Sequence, residues 1–117
     1  MSKVSDVLRS ADTKYRQIRY ALRIRRYPNE NLIPACAVGV LCLENNVTVK
    51  IRQVGISSEE EKEIMQYYGL DAAVKICAYC NGPVRGTLVY ILHLNDFHGF
   101  SFVEIADTLD REESAID

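Results

Sequence analysis

The chain has 117 residues, 48% of them hydrophobic and 26% charged, with a formal net charge of −2. That is enough for one hydrophobic core and too little for two, so a single domain over residues 1 to 117 is expected and global disorder is excluded. No apolar stretch approaches the length needed to span a membrane, and Met1-Ser2-Lys3 leads into an amphipathic segment rather than a signal peptide. A cytoplasmic protein with four reduced cysteines is the expectation.

Charge is unevenly spread. Residues 1 to 26 hold eight Lys/Arg and two Asp, a balance of +6, whereas the remainder holds six Lys/Arg against fourteen Asp/Glu, a balance of −8. A basic arm on an acidic body either docks internally or waits for an acidic partner.

Residues 3 to 26 carry Val4, Leu8, Ala11, Tyr15, Ile18 and Leu22 alternately four and three apart. The spacing predicts one long helix with a narrow apolar stripe, suited to core packing or to a dimer seam. On such a helix Arg16, Arg19, Arg23 and Arg26 form a guanidinium row. Residues 34 to 45, apolar on every side, predict a buried central helix with Pro34 in its first turn. Gly39 inside it suggests that another backbone passes close by.

Residues 47 to 54 alternate in hydropathy and predict a strand, and its only candidate partner is 87 to 94, which reads equally well as a helix. A helix from Ser57 or Ser58 to Gly69 has a capping-box start and a glycine stop. A short helix is expected from Asp71 to Asn81-Gly82-Pro83. The last helix starts at Ser101, with a polar tail from 111 to 117. The fold class expected is mainly α: four to five helices around a buried central one, with a two-stranded ribbon from 47–54 and 87–94 as the open alternative.

Chemistry is sparse. Cys77-Ala78-Tyr79-Cys80 has metal-ligand spacing, and Cys36, Cys42, His93 and His98 are the residues that could complete a tetrahedral zinc set. The reading without metal places Cys77 and Cys80 on one helix face, Cys36 and Cys42 in the core, His93 at the core edge and His98 in solvent. No cofactor is expected on that reading. His93, Asp96 and His98 form a second candidate metal set. A nucleophile at Cys36, with His93 as base and Asn95 or Asp96 as orienter, resembles papain-like hydrolases in residue order only. No phosphate loop, serine elbow or carboxylate pair occurs.

Cys36-Ala37-Val38-Gly39-Val40-Leu41, Leu94-Asn95-Asp96 and Phe102-Val103-Glu104-Ile105-Ala106-Asp107-Thr108-Leu109 together resemble a family of small uncharacterised proteins of phages and bacteria. Its pattern is a C-A-x-G-A-L helix, then a tryptophan- or leucine-Asn-Asp elbow leading into a final helix. The chain departs from it at Val40 and, where Trp is common, at Leu94. The resemblance implies a compact helical domain in which the elbow is architecture, and it makes a mobile-element origin plausible. The function expected is non-enzymatic binding of a host protein through Arg16, Arg19, Arg23, Arg26, Tyr20 and Tyr27. Nucleic-acid binding by the same basic segment is one alternative, a zinc or thiol site on Cys77, Cys80, His93 and His98 or a Cys36–His93 hydrolase is another, and no membrane partner is expected.

Overall fold

The computed structural model describes residues 4 to 116, with side chains described as far as Glu112. Helix α1 (Val4–Arg9) is followed by a 3-10 turn at Ala11–Thr13 and by β1 (Tyr15–Gln17). Next come β2 (Ile33–Ala35), α2 (Ala37–Glu44), α3 (Ser58–Tyr68), β3 (Val74–Ile76), β4 (Pro83–Arg85), α4 (Thr87–Asp96) and α5 (Phe102–Ile116). Among the described residues the architecture is therefore five α-helices with two small two-stranded sheets. Part of the expected 111 to 117 tail belongs to α5, and its side chains beyond Glu112, with Asp117, lie outside the described residues.

The expected helix over 3 to 26 stops at Arg9. Ser10 Oγ donates to the carbonyls of Asp6 and Val7, and Thr13 Oγ1 donates to that of Ser10. Such local side-chain bonds offer the backbone an alternative to helical pairing. Tyr15–Gln17 then pairs in parallel with Ile33–Ala35, while Arg23 bridges Ala35 in the antiparallel sense. Five of the six apolar residues of the supposed stripe are nonetheless buried, Val4, Leu8, Ala11, Tyr15 and Leu22, and Ile18 is half-buried. The guanidinium row does not exist, because no helix carries it.

Helix α2 is the buried centre, as the sequence predicts. It begins at Ala37, because Pro34 sits in β2 and Cys36 is the N-cap, its sulfur accepting from Gly39 N–H at 3.4 Å. Cys36, Cys42, Val38, Val40 and Leu41 are fully buried. α3 has both capping-box hydrogen bonds at Ser57 and Glu60, and it ends on left-handed Gly69 (φ 66°). α5 repeats the device at Ser101 and Glu104.

The expected strand at 47–54 does not form, and the open choice at 87–94 falls to helix. Residues 47 to 54 bury Val47 and Val49 and expose Thr48 and Lys50, yet they pair with no strand. Alternating burial needs only an extended backbone lying on the core, not a ladder. Residues 87 to 94 belong to α4, so of the two open readings the helix forms and the ribbon does not. The sheets are β1 with β2 and an antiparallel β3–β4 hairpin, Val74 opposite Arg85 and Ile76 opposite Pro83.

Candidate metal centre

The segment from Asp71 to Pro83 is a hairpin, not a helix. Asp71 uses its carboxylate to accept from Ala73 N–H at 3.0 Å, a turn rather than a helix cap. Between the strands the chain folds into a knuckle: Cys77 N–H donates to Gly82 O and Asn81 N–H donates to Cys77 O, both at 2.9 Å. Asn81 takes a left-handed conformation (φ 60°) that asparagine tolerates. The knuckle turns both cysteine sulfurs to the same side.

Helix α4 supplies the opposite wall. Gly86 opens it with φ 90° and lies against Ala72, where a Cβ would meet the Ala72 Cα at 3.3 Å. His93 stands in the last turn. The helix ends as Phe97 and His98 N–H both donate back to the His93 carbonyl, and Gly99 (φ 67°) turns the chain away. Arg19 secures this end by donating to the exposed carbonyl of Asp96, at 3.0 Å from Nε and 2.6 Å from Nη2. A cation at a helix C-terminus is favourable.

The outcome is convergence. Cys77 Sγ lies 3.4 Å from His98 Nε2, and Cys80 Sγ lies 3.4 Å from His93 Nε2. One donor atom from each of the four residues falls within 4.8 Å of all the others. Zinc bonds of about 2.3 Å to sulfur and about 2.0 Å to nitrogen, set tetrahedrally, place such donors about 3.5 Å apart. Cys77 is buried, His93 and His98 are half-buried, and Cys80 is exposed. Burial and the neighbouring His98 lower the His93 pKa, favouring the neutral imidazole that a metal requires. His93 stacks on Phe97 (5.1 Å, 11°), and His98 meets the edges of His93 and Phe97.

The other candidate sets are not assembled. Cys36 is fully buried, bonded to its own helix start, and its thiol is pushed up to about 12 chiefly by desolvation. His93 faces Cys80, not Cys36. Asp96 is not among the converging donors, and its carboxylate accepts from Tyr20 N–H and Asn95 Nδ2. Asn95 is a buried structural hub: its Oδ1 accepts from Gln17 Nε2 (2.8 Å) and Ala37 N–H (3.0 Å), and its Nδ2 donates to Ile18 O (2.8 Å). The Asn-Asp elbow is thus architecture, as the sequence suggests.

Of the interface residues expected from the sequence, two are engaged within the fold and four remain on the 20–27 segment. Arg16 is paired with Glu30, and Arg19 is spent on α4. Tyr20, Tyr27 and Arg26 are exposed and Arg23 is half-buried. The signal missed for the centre is the complete spacing. Two residues separate the cysteines, twelve separate Cys80 from His93 and four separate the histidines. The four residues stand in the sequence as an alternative zinc set, but a helical Cys77-Cys80 pair hides the spacing that a knuckle makes productive. Comparisons with protein-family models, curated proteins and solved structures give no match for this chain.

Proposed function

We propose that the chain is a non-enzymatic binding domain whose β3–β4–α4 unit is held by one zinc ion on Cys77, Cys80, His93 and His98. The observation that carries this reading is the convergence of four soft and borderline donors, and of no carboxylate, within 4.8 Å. Four protein ligands leave no open position for water, which favours a structural over a catalytic role. A hairpin–knuckle–helix order with this ligand spacing is that of two-cysteine, two-histidine zinc fingers. Val84 and Tyr90, both buried, fill the small apolar wedge between hairpin and helix.

Such fingers read duplex DNA from the outer face of the helix, through residues around its first two turns. In this chain those positions are Gly86, Val89 and Leu92, none with a side-chain hydrogen-bonding group, and Leu88 and Ile91 beside them are buried. The finger is therefore read as a staple within a larger helical core, and base reading is not its task. The phage-type origin implied by the sequence resemblance remains compatible with this role.

The test is metal analysis of protein purified without chelator or added zinc, followed by cobalt substitution. About one zinc per chain, lost in Cys77→Ser and His98→Ala, and a cobalt spectrum of a tetrahedral sulfur-ligated ion support the reading. Substoichiometric metal together with an unchanged melting temperature in chelator would overturn it.

A further inference from the structure

The basic N-terminal third divides into two parts. Arg9 is paired with Asp107 (2.6 Å) and Asp110 (2.7 Å), Lys14 with Glu44 (3.5 Å), and Arg16 with Glu30. These cations answer the acidic body from within. Arg23, Arg25 and Arg26 make no ion pair among the described residues. A second loop brings Lys50 and Arg52 to the same place, similarly without an ion pair. The two loops are stitched together by Leu22 N–H donating to Gln53 O and Arg52 N–H donating to Arg23 O, both at 2.7 Å. Five cations from two distant segments therefore share one lip. The acidic groups facing it are Glu30, held by Arg16 and attracted also by Arg26, and Glu60, held by Ser57 and Gln53 and attracted also by Lys50.

Two tyrosines bracket Arg23, Arg25 and Arg26 in the chain with their rings in solvent, Tyr20 at 64% and Tyr27 at 68% exposed. Tyr20 keeps a positive φ of 68°, unfavourable for an aromatic residue, and is held there by Asp96 through its N–H. The Arg19 guanidinium lies 5.2 Å from the Tyr20 ring centre. The fold spends backbone strain on presenting an aromatic face outward.

We propose that this lip binds single-stranded nucleic acid, with Arg23, Arg25, Arg26, Lys50 and Arg52 on phosphates and Tyr20 and Tyr27 stacking on bases. Positive grooves that track a backbone, joined to aromatic platforms, are how single strands are held without base readout. An acidic protein face would satisfy the cations and needs a separate apolar surface for the tyrosines, whereas a single strand offers charge and planar faces in one repeating unit. A duplex would keep its bases stacked away from them, and α4, the element a finger offers to a groove, is spent on the core. None of these residues belongs to the four-donor cluster, so the lip is separate from the zinc centre.

The experiment is fluorescence anisotropy on the zinc-loaded full chain, with its metal content measured in parallel. The probes are a labelled oligothymidylate, an oligouridylate, a duplex of equal length, and polyglutamate. Binding to the single strands is expected, falling steeply between about 50 and 200 mM salt. Reversal of exposed Arg25, Arg26 and Lys50 to Glu should weaken it by about tenfold or more. Tyr27→Ala, and Tyr20→Asn, which keeps the left-handed backbone accessible, should each weaken single-strand binding by about fivefold or more and leave polyglutamate unchanged. Circular dichroism checks that each variant is folded. Preference for the duplex, equal affinity for polyglutamate, or no binding at low salt would each overturn the proposal.

Discussion

The carbonyl oxygen of Leu22 occupies the place of a side chain on Gly39: a Cβ there would stand 1.9 Å from it and 2.9 Å from the carbonyl carbon. The same carbonyl accepts from Cys36 N–H at 3.1 Å, so the approach of the two segments is hydrogen-bonded as well as close. Gly39→Ala must push the 22–24 segment off α2. Overpacking of this kind costs about 1–3 kcal/mol, and backbone on backbone belongs at the upper end. Urea denaturation should show a midpoint well below the parent, and a neutral substitution would contradict the packing.

Asn95 ties α4 to the N-terminal segment and to the start of α2 through both ends of its amide. Asn95→Ala strands buried donors and acceptors, and each orphaned group costs about 1–3 kcal/mol. A total loss of about 3 kcal/mol or more is expected. Asn95→Asp keeps the shape but removes the donation to Ile18 O and sets a carboxylate beside Asp96, so it should not rescue. Thermal melts of the two variants side by side check this.

The thiols should react in a fixed order. Cys36 and Cys42 are fully buried, and desolvation pushes both up to about 12. Alkylation of native protein at neutral pH should leave both intact. Cys77 and Cys80 should be slow while metal is bound and should react first after chelation, since zinc holds the thiolates. Mass mapping of the modified cysteines reads the order, and early labelling of Cys36 would be inconsistent with this core.

The start of α3 gives a pH signature. Glu60 has its carboxyl held below the usual glutamate range, first by the backbone N–H of Ser57 and then by Gln53 and the Ser57 side chain. A pKa lowered by folding contributes stability above the unfolded value, near 4.3, and loses it as pH falls through the folded value. The stability gap between parent and Glu60→Gln should be present at neutral pH and close in acid. Ser57→Ala removes the reciprocal bond and should cost about 1 kcal/mol.

Local signals carried the regular ends of the fold. Ser57 with Glu60, Ser101 with Glu104, and Gly69 mark helix boundaries because a cap is a contact across three or four residues. The uniform apolarity of Ala37 to Leu43 marked the central helix, and Gly39 marked a close neighbour. Periodicity placed Val4, Leu8, Tyr15 and Leu22 in the core, yet it misjudged the segment that carries them. Inward-facing residues recur at spacings that a helix, a turn and a strand in succession can also produce. The choice fell to Ser10 and Thr13, which bond their own backbone, and to a strand partner some eighteen residues on.

The centre divides in the same way. The amino-acid sequence alone supplied four donors at finger spacing, a small single domain and a basic segment. Tertiary structure decided that Cys77 and Cys80 sit on a knuckle rather than a helix, that His98 turns back at Gly99, and that two loops pool their cations while Arg9, Lys14 and Arg16 are neutralised. Those outcomes depend on contacts between residues far apart in the chain. Backbone pairing and burial settle such contacts together, and no local window contains both partners.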